Sequence, residues 1–190
     1  EALRTPTFWL LVAFSAFIFP VQAGVSLHQA PHLIDRGISM GYAAAAVSAF
    51  SLMSAIGGLV FGQLEAKFGA MKSLLVAAVL MSIGAGIMLV VFDVWTAFLA
   101  SCVFGAGIGG LLTLLPVAWA NSFGRQNLGA IRGVTLPVQI IAQAVGPLMS
   151  GSLVDVTGDY EVSLILFTFF GICASTLVFV AVRQCGSKNR

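Results

Sequence analysis

The sequence predicts an all-α membrane protein of six transmembrane helices, folded as a 3+3 inverted repeat. Three observations lead there. Of 190 residues only nine are Lys or Arg and seven are Asp or Glu, 8% charged in all, while 59% are hydrophobic. A soluble domain carries about 25% charge, and this chain has too little polar surface to cover one. The charges are also grouped: residues 5–34, 37–64, 73–92, 94–124, 133–154 and 162–182 hold none. Each gap reaches the ~20 residues that cross a hydrocarbon core of about 30 Å. Finally, two stretches 89 residues apart match each other. Runs such as residues 74–81 do not alternate, as barrel strands would. A net charge of +2 argues against a nucleic-acid partner, which requires a dense basic patch. Cys102, Cys173 and Cys185 show no metal or disulfide spacing, so no metal site and no cofactor are implied.

The expected helices run from about 7–30, 39–62, 73–92, 95–119, 131–154 and 162–183. The first carries Ser15, Gln22, Ser26 and Gln29, which fall within about 60° of one another on a helix. It is expected to end before Pro31, which disfavours an α conformation at Ala30. The second holds Gly58-x-x-x-Gly62 and the fourth Ser101-x-x-x-Gly105-x-x-x-Gly109, spacings that admit close helix contact. The third carries no charged residue. At the end of the fourth, Trp119 reads as an interfacial anchor beside Asn121. The fifth carries Thr135, Gln139, Gln143, Gly146 and Ser150, within about 80° by the same arithmetic. Pro20, Pro116, Pro137 and Pro147 interrupt backbone hydrogen bonds, as helices along pathways tolerate. The sixth closes the set.

Six crossings put both termini on one side. Arg4, Lys67, Lys72, Arg125, Arg132, Arg183, Lys188 and Arg190 fall on that side and Arg36 alone on the other. By the positive-inside rule the termini are cytoplasmic, and the expected location is a cell membrane of the bacterial inner type. The short loops leave no room for an inserted catalytic domain. The chain starts at Glu1, which suggests a fragment.

The internal match aligns residues 54–69 with 143–158 without a gap. Ala55/Ala144, Gly57/Gly146, Leu59/Leu148, Gly62/Gly151, Leu64/Leu153 and Gly69/Gly158 are identical. Three helices separate the copies, an odd number, so they face opposite ways. Repeat units of 1–93 and 94–190 follow, a three-plus-three inverted repeat.

Gly62-x-Leu64-x-x-Lys67-x-Gly69 resembles the signature loop G-x-L-x-D-R-x-G-R-K of the major facilitator superfamily. It departs from that pattern at Ala66, Ala70 and Met71, and its acid, Glu65, comes one residue early. The chain therefore resembles the C-terminal half, helices seven to twelve, of such a transporter, over nearly all its length. His28-Gln-Ala-Pro-His-Leu-Ile-Asp-Arg-Gly-Ile-Ser39 and Phe123-Gly-Arg-x-x-Leu-Gly-x-Ile-Arg-Gly133 resemble outer and inner loops of the monocarboxylate and oxalate/formate porter group. The resemblance implies a secondary carrier of a small solute, an organic anion such as a mono- or dicarboxylate. It also implies two partners, a lipid bilayer and an N-terminal six-helix half. A multidrug or other efflux carrier and a self-assembling six-helix channel are the alternatives. Porters of that group place a basic residue inside the second helix of this half and sometimes the fifth. Here residues 39–62 and 133–154 have none. Any counter-charge must come from the other half, from His28 or His32, or from helix ends.

Polar groups at membrane depth need a partner or a water-filled cavity. Gln22, Ser26, Gln29, Gln139 and Gln143 are the candidate pathway residues, with interhelical hydrogen bonding as the other reading. His28 and His32 read as proton-linked or gating residues, or as ordinary polar groups at a helix end. Asp35 with Arg36, and Arg125 with Arg132, read as outer and inner gate charges or as solvated loop charges. His28-Gln-Ala-Pro-His32 lacks the general base of a zinc protease. Gly24-Val-Ser26-Leu-His28 lacks the glycine of a membrane serine protease, so no enzyme is expected.

Overall fold

The computed structural model describes residues 2–124, 126 and 128–187, with the backbone alone at Ala2 and 185–187. After a short turn at Ala2–Arg4 come six helices. They are α1 (Pro6–Asp35), α2 (Met40–Phe68), α3 (Ala70–Leu89), α4 (Val94–Phe123), α5 (Leu128–Thr157) and α6 (Glu161–Ser187). Each is long and apolar enough to cross a membrane.

All the helices but α3 are longer than expected from the sequence, and the differences are physical. α1 does not stop at Ala30 but passes through Pro31 to Asp35. His32 and Leu33 are buried there, and this tertiary packing outweighs the local preference of the residue before proline. α2 continues to Phe68 and meets α3 across Gly69 alone. Gly69 sits at φ +85°, a conformation open to glycine at little cost. Gly62, Leu64 and Lys67 thus lie on the last two turns of α2 rather than in a loop, and only Gly69 turns the chain. α3 ends at Leu89, short of 92. α4 opens on a capping box: the Thr96 amide donates to Asp93 Oδ1 at 2.8 Å, and the Asp93 amide donates to Thr96 Oγ1 at 3.2 Å.

Packing shows the repeat. α4 lies between α2 and α3, α1 lies between α5 and α6, and α3 packs on α6. Exchanging α1 with α4, α2 with α5 and α3 with α6 maps every one of these principal contacts onto another. This is an inverted-repeat bundle of the major facilitator type. The matched glycines behave as pairs. A Cβ at Gly57 would meet the Ala106 backbone on α4, and one at Gly146 would meet the Pro20 carbonyl on α1. Gly62 and Gly151 both face open space, and Gly69 and Gly158 both adopt φ +85°.

Because lipid tails are as apolar as leucine, close packing holds such helices together. Gly105 and Gly109 of α4 lie against the carbonyls of Phe50 and Ser54 on α2, and Gly58 nears Thr113 Oγ1. Of the small-residue spacings, Gly62 alone has no helix against it. α4 is the most enclosed helix, 61% of its apolar window being buried against 17% for α2 and 22% for α5.

Candidate solute pathway

The polar residues of α1 and α5 meet along the seam between these two helices. Gln22 and Ser26 of α1 face Gln143 of α5 across an open groove of about 480 Å³, flanked by Leu27 and Pro147. Ser26 Oγ donates to the Gln22 carbonyl at 2.5 Å, which fixes its hydroxyl within the helix. Gln22 Oε1 is buried and accepts no hydrogen bond.

Gln139 lies one turn from Gln143 toward the end that carries the termini. It lines a second, narrower cavity of about 140 Å³ with Phe19, Leu115, Trp119 and Arg132. On α5, Arg132 and Gln139 are seven residues apart, within about 20° of the same face. Arg132 is in no ion pair among the described residues. Trp119 is 1% exposed, and its indole N–H has no acceptor. Trp119 is therefore no interfacial anchor. Its ring packs on Phe8 and Phe123, with centroids at 5.5 and 5.7 Å, and it forms part of the cavity wall.

The sequence places Arg132 at the start of the fifth helix and reads it as an inner gate charge; it gives no sign that Arg132 and Gln139 share a cavity with Trp119, which lies on a different helix. α5 starts at Leu128 and carries Arg132 in its second turn. Buried polar atoms nearly always find partners. Among the described residues, five buried side-chain atoms do not: Gln22 Oε1, Trp119 Nε1, Thr135 Oγ1, Ser150 Oγ and Ser73 Oγ. Gln22 belongs to α1, Thr135 and Ser150 to α5, and Trp119 of α4 lines the cavity with Arg132 and Gln139.

Other candidate residues lie elsewhere. Gln29 is 1% exposed and turns from the groove: its Nε2 donates to the Ser26 carbonyl at 3.3 Å, and its Oε1 accepts from Ser101 of α4 at 3.5 Å. At the far end from the termini, His32 is buried and its Nε2–H donates to the Met88 carbonyl at 2.9 Å. His28 donates from Nδ1 to the Gly24 carbonyl at 3.2 Å and packs on Tyr160, with ring centroids 5.4 Å apart. Arg36 pairs not with Asp35 but with Glu161, at 2.8 Å, and also donates to the Leu89 carbonyl at 3.0 Å. One clasp so ties the end of α1 to the end of α3 and the start of α6. Burial, with the carboxylates of Asp35 and Asp155 adding to it, pushes the Tyr160 phenol above its usual value, so the ring stays neutral. Asp35 itself is exposed. Arg125 lies outside the described residues. In the α2 segment Lys67 is exposed, and Glu65 accepts from Asn121 of α4 at 3.5 Å. Among the described residues no three His, Cys, Asp or Glu side chains cluster as a metal site would need.

An inverted-repeat bundle with unsatisfied polar groups along one seam is a transmembrane module of the major facilitator type. The chain belongs to the Sugar (and other) transporter family, which matches it over residues 9–123. The family is one of transporters rather than enzymes. The chain is 26% identical over 185 residues to monocarboxylate transporter 12 of Xenopus laevis, covering 94% of this chain and 40% of that protein. To the mouse protein of the same name (Mus musculus) it is 29% identical over 155 residues, 78% of this chain and 31% of that one. To the efflux pump dotC of Dothistroma septosporum it is 32% identical over 105 residues, 55% and 18%. The chain thus spans less than half the length of these relatives.

Proposed function

We propose that this chain is the C-terminal half of a secondary transporter that carries a small organic anion, a mono- or dicarboxylate, by alternating access. An N-terminal six-helix half would face α1 and α5 and complete a site near the midplane. The observation that carries this reading is the buried Trp119 indole N–H, without an acceptor, in one cavity with Arg132 and Gln139. A carboxylate can accept from Arg132, from the Trp119 indole and from the Gln139 amide, and the groove at Gln22, Ser26 and Gln143 continues the path. The apolar walls at Phe19 and Leu115 suit a short hydrocarbon tail. The excess of Lys and Arg at the terminal end supports cytoplasmic termini. At the other end the His28, His32 and Arg36 clasp acts as an outer gate that must loosen when α1 moves.

Similarity to an efflux pump over 105 residues favours a second reading, export of a larger apolar solute. Uptake and efflux assays on the full-length protein in proteoliposomes separate the two, with labelled carboxylates, sugars and lipophilic cations compared. Gln139→Ala combined with Gln143→Ala should depress carboxylate uptake without lowering the amount of folded protein. Unchanged kinetics in that variant would remove both residues from the pathway.

A further inference from the structure

A groove of about 640 Å³ runs along the crossing of α3 and α6. These helices touch at the middle of the packing order α2–α4–α3–α6–α1–α5, so the groove opens away from the α2 and α5 ends of the bundle. Small residues at the crossing create it. A Cβ at Gly171 would strike Ser82, and Gly86 has only Thr168 nearby. Val79, Ile83, Ile172 and Phe179 rise on either side, between 39% and 55% of each lying exposed.

The hydroxyls that line it are already satisfied. Ser82 donates to the Ala78 carbonyl, Ser175 to Gly171, Thr168 to Leu164 and Thr176 to Ile172, all at 2.8–2.9 Å. The groove therefore offers no free donor to a polar solute, and its occupant is apolar. On α3 it extends from Leu75 to Gly86, about 16 Å at 1.5 Å per residue. That is the depth of one leaflet, half of a hydrocarbon core of about 30 Å. A helix from a second copy of this chain would need a seat spanning both leaflets.

The end of the groove nearest the termini is cationic. The Arg183 guanidinium lies 4.6 Å over the ring of Phe179, which lines the groove. Lys72 lies three residues before Leu75, about 60° from it around α3. α3 leaves that end and α6 returns to it, so both cations stand at the same mouth. Among the described residues neither is in an ion pair.

We infer that the α3–α6 groove is a binding site for an anionic glycerophospholipid of the leaflet on the terminal side. One acyl chain occupies the groove and the headgroup phosphate sits at Arg183 and Lys72. The walls select a chain, and the two cations select negative charge and, standing at the mouth nearest the termini, the leaflet. A lipid held there covers the contact between the repeats on the face opposite the solute seam.

The test uses the full-length transporter, extracted in mild detergent and titrated with dioleoyl phosphatidylglycerol or dioleoyl phosphatidylcholine, with bound lipid read by native mass spectrometry. Phosphatidylglycerol should be retained preferentially. Arg183→Ala and Lys72→Ala should each lower its retention about fivefold, the strength of one interfacial cation, while leaving phosphatidylcholine unchanged. Gly86→Leu, which fills the groove and keeps both cations, should lower retention of both lipids. Equal retention of the two lipids by the native protein, or full retention by the Arg183→Ala, Lys72→Ala double variant, overturns the proposal. A second measurement needs no variant: a phosphatidylglycerol with a photoreactive acyl chain should label residues 75–86 and 168–179. Labelling spread evenly over the lipid-facing helices, or centred on α2 or α5, overturns it as well.

Discussion

The crossing of α2 on α4 and its counterpart, α5 on α1, are built on the same matched glycine and put to different use. At the first, Gly57 meets the Ala106 backbone, while Gly105 and Gly109 bring α4 against the carbonyls of Phe50 and Ser54. Three backbone contacts bring the two helices into close approach. At the second, Gly146 alone closes on Pro20. Elsewhere on α5, Gln143 stands where α2 has Ser54 and Gln139 where it has Phe50, and two recesses open, one against α1 and one reaching α4. One repeat skeleton thus gives a weld where its seam is glycine and a candidate pathway where its seam is amide. Within a bilayer this follows from close packing being the force that holds helices together. A side chain that cannot be buried flush keeps its helix apart.

The largest expected effect breaks the weld. Gly109→Leu drives a side chain into the Ser54 carbonyl of α2 and should cost about 3 kcal/mol or more, read as loss of folded, monodisperse protein. Gly62→Leu on the same helix faces open space and should leave the six-helix packing intact. Equal yields from the two would mean that the α2–α4 contact is not close-packed. The pathway side is tested next. Arg132→Ala should lower kcat/KM for carboxylate by at least about tenfold, roughly 1.4 kcal/mol, with Tm unchanged because Arg132 is exposed. Arg132→Lys should recover part of it, and undiminished transport by Arg132→Ala would leave the cavity without a substrate role.

The ends of the two inner helices sharpen the comparison further. α1 is pinned by Arg36, which bonds both Glu161 and the Leu89 carbonyl. Glu161→Gln should cost at most about 1 kcal/mol, since an exposed ion pair is worth little. Arg36→Ala should cost more, because it also releases the α3 carbonyl. The order is checked by thermal unfolding of both variants. α4 is pinned by its capping box, and here the effect is smallest. Hydrogen bonds from Thr96 hold the Asp93 carboxyl below its usual value. Its lowered folded pKa means that the stabilisation is present above the unfolded value and is lost as pH falls through the folded one. Thr96→Val should therefore lower Tm slightly at neutral pH, and the difference should vanish on acidification below the carboxylate range. A difference independent of pH would show that the cap acts through something other than the carboxylate.

Much of the fold was legible because charge is so costly in a bilayer that its absence marks the spans. The repeat was legible because glycines at Gly57, Gly69 and their mates are required by backbone geometry, and geometry of that kind leaves identical residues behind. The pathway was legible in part. Gln22, Ser26, Gln139 and Gln143 line recesses along one seam, as their stripes implied. Trp119 gave no signal of its role, since tryptophan at a helix end reads equally well as an anchor. Arg132 was legible as a charge at the inner end of the fifth helix, but the cavity it lines with α4 was not.

By itself the sequence determined the six crossings, the glycine-matched repeat and the polar stripes, since each depends on spacing along the chain. Tertiary structure alone decided which neighbour each stripe meets. Gln22 and Gln29 are seven residues apart on one face of α1, yet Gln22 looks toward α5 and Gln29 is locked to Ser101 of α4. Two crossed helices diverge along their length, so a face that keeps its direction along the axis exchanges one partner for another within two turns.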